Sequence, residues 1–145
     1  MKIAIGCDHG GFDVKTDIVE LLEGMGHKVC DHGCDSRQSV NYPDYAKMVC
    51  RGVENGTADR GILICGTGIG MSMAANRSKS IRAALCHELF TAAMSREHND
   101  ANVLCLGARV VGPGLILEIV RTWVTTEFAG GRHQTRIAMF SDAVG

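Results

Sequence analysis

A Rossmann-like α/β domain, a three-layer α/β/α sandwich built on a five-stranded parallel sheet, is the architecture this sequence predicts, on three observations. Short apolar runs alternate with longer segments of helical period. The run Gly61-Ile62-Leu63-Ile64-Cys65 is apolar without a break, as a strand buried on both faces requires. Turn or cap residues mark each junction between runs. At 145 residues the chain has the length of one domain, since about 150 are expected for each. Residues 1–145 are therefore read as a single unit.

Taken in order, residues 2–7 form the first strand. Val14, Ile18, Leu21, Leu22 and Met25 then share one apolar helix face, which Gly26 ends. Residues 27–31 make a short second strand, and the polar stretch 33–41, with no apolar period, is a loop at the sheet edge. Pro43 suits a first helical turn. Ala46, Val49, Cys50 and Val53 are that helix's buried stripe, and Asn55-Gly56 stops it. The apolar strand 61–65 leads through Gly66-Thr67-Gly68-Ile69-Gly70 into a short helix over 71–76. Residues 81–86 are the fourth strand, 88–97 a helix and 102–106 the fifth strand. Pro113 opens a long helix with Ile116, Ile119, Val120, Trp123 and Val124 on one face, and Gly130-Gly131 breaks the chain before a terminal segment.

Composition narrows the function. The chain is 46% apolar and 21% charged with two prolines, which supports a packed core and excludes disorder. A formal charge of −1 provides no global field for nucleic acid or anionic lipid, and seven aromatic residues are too few for a base-stacking surface. The first apolar run is too short for a signal peptide or a membrane span, so the chain is expected in the cytoplasm. Seven cysteines, odd in number and without a CxxC, are read as reduced thiols, which disfavours a thiol redox protein. Eighteen glycines, against about ten at average usage, imply tight turns and close backbone approaches to a ligand.

Ligands of parallel α/β sheets bind beyond the carboxyl ends of the strands. Those ends carry Cys7-Asp8-His9-Gly10-Gly11, Cys65-Gly66-Thr67-Gly68-Ile69-Gly70 and Gly107-Ala108-Arg109. The loop 66–70 offers backbone N–H groups for a phosphate or a developing oxyanion. As a dinucleotide fingerprint it fails, because Met71 stands where GxGxxG needs its last glycine. Cys65 is either a small core residue or a thiol whose anion is favoured by the loop and the Thr67 hydroxyl. His9 and His98 are either helix caps or acid/base groups at ligand-facing ends of neighbouring elements. Arg132 and Arg136, four apart, put two guanidinium forks on one helix side, either to grip a phosphate dianion or as a solvated basic tail. His27, Cys30, His32 and Cys34 match no standard zinc spacing, and no metal is expected there.

Together, Gly6-Cys7-Asp8-His9-Gly10-Gly11-Phe12, Asn41-Tyr42-Pro43-Asp44-Tyr45, the loop 65–70, the stretch 95–100 and the stretch 130–136 resemble the ribose-5-phosphate isomerase B family nearly end to end. The family also contains hexose-6-phosphate isomerases. The resemblance implies a metal-free and cofactor-free interconversion of ribose 5-phosphate and ribulose 5-phosphate through a cis-enediolate, at a site shared by two subunits of a homodimer. It makes Cys65 the base that moves a proton between C1 and C2, with Thr67 beside it. The amides of Gly66, Gly68, Ile69 and Gly70 would stabilise the enediolate oxygen, and His98 would serve ring opening. Asp8, His9, Tyr42 and Asn99 match positions that hold sugar hydroxyls or phosphate. Arg109, Arg132 and Arg136 match contacts to the anionic group. A branch of the family has a glutamate at the place of Met71 and lacks the cysteine; the resemblance here is to the cysteine branch. Asn41 stands where the family usually has Asp, and Cys7 where Ser is frequent. The remaining readings are a hexose phosphate substrate and a non-catalytic nucleotide-binding module.

Overall fold

The computed structural model describes residues 1–141. Five strands, β1 (Lys2–Cys7), β2 (Lys28–Asp31), β3 (Arg60–Cys65), β4 (Ala83–Leu85) and β5 (Val103–Gly107), pair in the order β2-β1-β3-β5-β4. Every pairing is parallel. Six helices connect or follow them: α1 (Phe12–Gly24), α2 (Tyr42–Glu54), α3 (Ile69–Ala75), α4 (Leu89–Glu97), α5 (Pro113–Thr125) and α6 (Arg132–Ser141). A parallel connection must carry the chain back to where the next strand begins, and helices do so here.

Alternation along the central strands divides the core into two. Ile3, Ile5, Ile62, Ile64, Leu104 and Leu106 meet α1, α4 and α5 on one face. Ala4, Leu63, Cys65, Val103 and Cys105 meet α2 and α3 on the other. The expected apolar face of α5 is buried at every named position, Ile116, Ile119, Val120, Trp123 and Val124. On the opposite side α2 lies very close to the sheet, because β1 and β3 present Gly6 and Gly61 to it. A Cβ at Gly61 would lie 2.5 Å from Val49 Cγ1.

Boundaries differ from expectation in two informative places. The strand expected over 81–86 pairs only over Ala83–Leu85, since Ile81 N–H bonds Ser78 O and Arg82 N–H bonds Asn102 Oδ1 instead of a ladder partner. The helix expected from 71 begins two residues earlier, at Ile69, because Gly68 turns the chain with φ +76°.

A charged cluster ties the amino ends of the strands to the ends of α4 and α5. Arg60, opening β3, donates to the last carbonyls of α5, Trp123 O at 3.3 Å and Val124 O at 3.1 Å. The fully buried Trp123 ring lies 5.5 Å from the Arg60 guanidinium and 5.8 Å from that of Arg96. Capping carbonyls at a helix C-terminus with a guanidinium complements the helix dipole.

At the other end of α4, the Glu88 carboxylate accepts the N–H of Thr91 at 2.8 Å and that of Phe90. These bonds, led by Thr91, hold the carboxyl below the usual glutamate range. A depressed native value means that the cap stabilises the fold above the unfolded-state pKa and loses its effect as pH falls through the native one. We expect Glu88→Gln to melt below the wild type at pH 7, with the two melting curves converging as the pH is lowered through that range.

Candidate active site

β3 ends at Cys65 on the face covered by α2 and α3. The left-handed backbone of Gly68 swings its own N–H back toward the sulfur, and Gly68 N lies 3.1 Å from Cys65 Sγ. Thr67 Oγ1 accepts the N–H of Ile69 at 3.3 Å, which holds the turn shut. Cys65 Sγ thus accepts a backbone N–H, a donor suited to a sulfur anion. Several other cysteines, on strands, helices and loops, are governed by burial. Burial, aided by the adjacent Cys34, pushes the Cys7 thiol up to about 12. Burial also raises Cys50 to about 11 and drives Cys86 and Cys105 upward. Those thiols are kept as thiols and pack as small apolar groups.

The turn after β1 abuts the turn after β3: a Cβ on Gly10 would lie 2.9 Å from Gly66 N. The buried Asp8 accepts the Gly10 N–H at 2.8 Å. His9 Nδ1 accepts the N–H of Val40 at 3.2 Å, so the neutral ring carries its proton on Nε2. Tyr42 opens α2 and lays its ring on Gly70, where a Cβ would meet Cζ at 2.5 Å and the hydroxyl at 2.8 Å. Beyond β5, Arg109 N–H bonds Gly66 O at 2.9 Å, and its side chain runs past Gly66. Asp8, His9, Tyr42, the loop 66–70 and Arg109 are thus gathered at the carboxyl ends of β1, β3 and β5. A cavity of about 430 Å³ adjoins them, with His9, Gly10, Arg37 and Arg109 on its wall. Cys65, 6% exposed, does not line it.

His98, Asn99, Arg132 and Arg136 are elsewhere. The expectation that His9 and His98 occupy ligand-facing ends of neighbouring elements is corrected by the direction of α4. That helix leaves the carboxyl end of β4 and returns, so His98 at its C-terminal end sits with the amino ends of the strands. α5 returns likewise to Arg60 at the start of β3. α6 begins there, with Ala129 N–H on Glu97 O at 3.0 Å and the His133 ring on His98. The six residues of β1 span roughly 20 Å, so one small sugar phosphate does not bridge the two groups within a single chain.

The second group is held by residues that sequence reasoning passed over. Asp100, the one non-glycine residue with positive φ (+46°) among those described, follows Asn99 directly. Its two carboxylate oxygens are taken by Arg96 at 2.8 Å and Arg82 at 3.0 Å, and Arg82 Nε also donates to Asn99 O at 3.2 Å. The His98-Asn99 turn is therefore clamped from both sides. Arg96 stands four residues before Asp100, a pairing that helical spacing offers, whereas Arg82 reaches Asp100 only when the start of β4 is folded beside the end of α4. Among the described residues no three His, Cys, Asp or Glu side chains converge to hold a metal ion, and no helix is long and apolar enough to cross a membrane.

The match to known proteins runs along nearly the whole chain. The model of the ribose/galactose isomerase family matches residues 3–140. Ribose-5-phosphate isomerase B of Escherichia coli is 50% identical over 136 residues, 94% of this chain and 91% of that protein. D-erythrulose-4-phosphate isomerase of Pectobacterium atrosepticum is 43% identical over 138 residues, covering 94% and 91%. The solved structure of ribose-5-phosphate isomerase B from Clostridium thermocellum superposes with a TM-score of 0.97 at 52% identity, covering 99% of this chain and 97% of the other. With its parallel sheet, its paired glycine turns and this full-length likeness, the chain belongs to the ribose/galactose isomerase family.

Proposed function

We propose that this protein is an aldose-ketose isomerase that interconverts D-ribose 5-phosphate and D-ribulose 5-phosphate through a cis-enediolate, with Cys65 as the base. The observation that carries this reading is the Gly68 N–H aimed at Cys65 Sγ in a turn whose Gly66 packs against Gly10, next to Asp8 and His9 in the chain. A proton shift between adjacent carbons needs one mobile base, fixed donors for the oxyanion and a remote grip on the phosphate. The Cys65 thiolate takes the C2 proton of the open-chain aldose and returns it to C1, while a hydroxyl proton moves from O2 to O1. Within the loop 66–70 the Gly68 N–H is given to the sulfur and the Ile69 N–H to the Thr67 hydroxyl, so the enediolate oxygen falls to the other amides of the loop, with Thr67 beside them. Asp8, His9 and Tyr42 border the sugar, and Arg109 offers a guanidinium to the anionic end.

Ring opening and the rest of the phosphate grip fall to His98, Asn99, Arg132 and Arg136, the group at the opposite end of the sheet. The reading therefore requires a second copy of the chain, turned so that its amino-end group faces the Cys65 turn of the first. A two-fold axis then builds two equivalent sites from four half-sites. Arg132 and Arg136, both exposed and one helical turn apart on α6, are placed for such a role.

Replacing Cys65 by Ala is expected to leave the circular dichroism spectrum intact and to cut isomerisation at least about a hundredfold, the low end for loss of a general base; near-normal turnover overturns the assignment. Sugar length is tested by kcat/KM on tetrose, pentose and hexose phosphates, with ribose 5-phosphate expected to lead. Sharing of the site is tested by mixing inactive Cys65→Ala and His98→Ala chains under subunit exchange. Half the dimers are then hybrids with one intact site each, so about a quarter of wild-type activity should return. No recovery would mean that each site is built within one chain.

A further inference from the structure

The imidazole of His98 leaves α4 at its C-terminal end with 40% of the side chain exposed. A ring so placed has two free rotations, and an acid that must meet a sugar oxygen at hydrogen-bond distance works poorly while it turns. One neighbour restricts it. His133, in the first turn of α6, stacks on His98 with ring centroids 4.2 Å apart and planes inclined by 10°.

The chain goes to some length to bring that ring there. Gly130 and Gly131 adopt φ of +65° and +57° in succession, a conformation that costs side-chain-bearing residues energy. Ala129 N–H is fixed on Glu97 O at 3.0 Å, and His133 N–H on Gly130 O at 3.1 Å. The result is one turn of helix laid across the end of α4. Glu97 Oε1 stands 3.8 Å from His98 Nε2, so the ring is covered on one face and flanked at one nitrogen.

The geometry points to His133 as a positioning residue that fixes the plane of the His98 ring for proton transfer to the sugar. This inference rests on the isomerase reading and adds to it a residue that touches neither substrate nor the reacting atoms. Burial first, and then His98, Arg132 and Arg136, hold the His133 imidazole below the ordinary histidine value, with Glu97 opposing. An uncharged ring stacks without repelling a protonated partner, and stacking needs a flat ring and no titratable group.

Two variants separate the possibilities, compared with the wild-type full-length chain on ribose 5-phosphate. His133→Ala removes the stack and should lower kcat at least about tenfold with KM little changed, as misplacement of a reacting group does. His133→Phe restores a flat ring and should recover kcat to within about threefold of wild type. A wild-type rate in His133→Ala overturns the proposal. Equal losses in both variants, with a raised KM, also overturn it by making His133 a phosphate contact. Ring-current displacement of the His98 imidazole proton signals, present in wild type and His133→Phe and lost in His133→Ala, reports the stack without any turnover. If wild-type protein does not isomerise a phosphosugar, the functional reading fails on its own, and retention of those signals in His133→Ala would still refute the contact.

Discussion

Parallelism is the constraint from which the rest of this molecule follows. Because all five strands point the same way, every helix that leaves a carboxyl end must deliver its own C-terminus to the opposite end of the sheet. Residues that follow a strand and residues that follow a helix are therefore sorted to opposite poles, whatever chemistry they carry. The Asp8-His9 and Cys65–Gly70 turns follow strands; His98-Asn99 follows a helix. Arg132 and Arg136 follow the next helix back. Under the proposed function, a reaction that uses both sets has to recruit another copy, and association would be part of the active site instead of an addition to it.

Within the first pole the decisive detail is one backbone N–H. Seven cysteines are scattered through the chain, and six of them are buried, which by itself favours inert apolar filler. A left-handed glycine three residues beyond Cys65 aims a backbone dipole at one of these sulfurs without adding a charged side chain to the core. The same sterics leave no room for substitution nearby: a Cβ on Gly107, at the end of the neighbouring strand, would fall 2.6 Å from Thr67 O. Chemistry and packing of this turn are specified by the same glycines.

Much of this was legible beforehand, for identifiable reasons. Strands and helices announced themselves because buried faces impose a period, so the face of α5 could be named residue by residue. Cap and turn chemistry marked Gly26, Asn55-Gly56 and Gly130-Gly131. Motif spacing also nominated the residues now gathered around Cys65. What the linear pattern concealed was direction. His9 and His98 look alike in sequence, each beside an acidic residue near a helix end, and it is the common direction of the strands that puts them at opposite poles. The reach of Arg82 to Asp100 and the stack of His133 on His98 were hidden for the same reason, since each joins segments whose adjacency exists only after folding.

The one tryptophan of the chain is lodged between two guanidiniums, one at the start of β3 and one on α4, close to the clamped turn. Its indole is thus an intrinsic optical gauge of the pole that bears His98 and Asn99, far from the thiol. Emission from that ring follows loosening or burial of its own end.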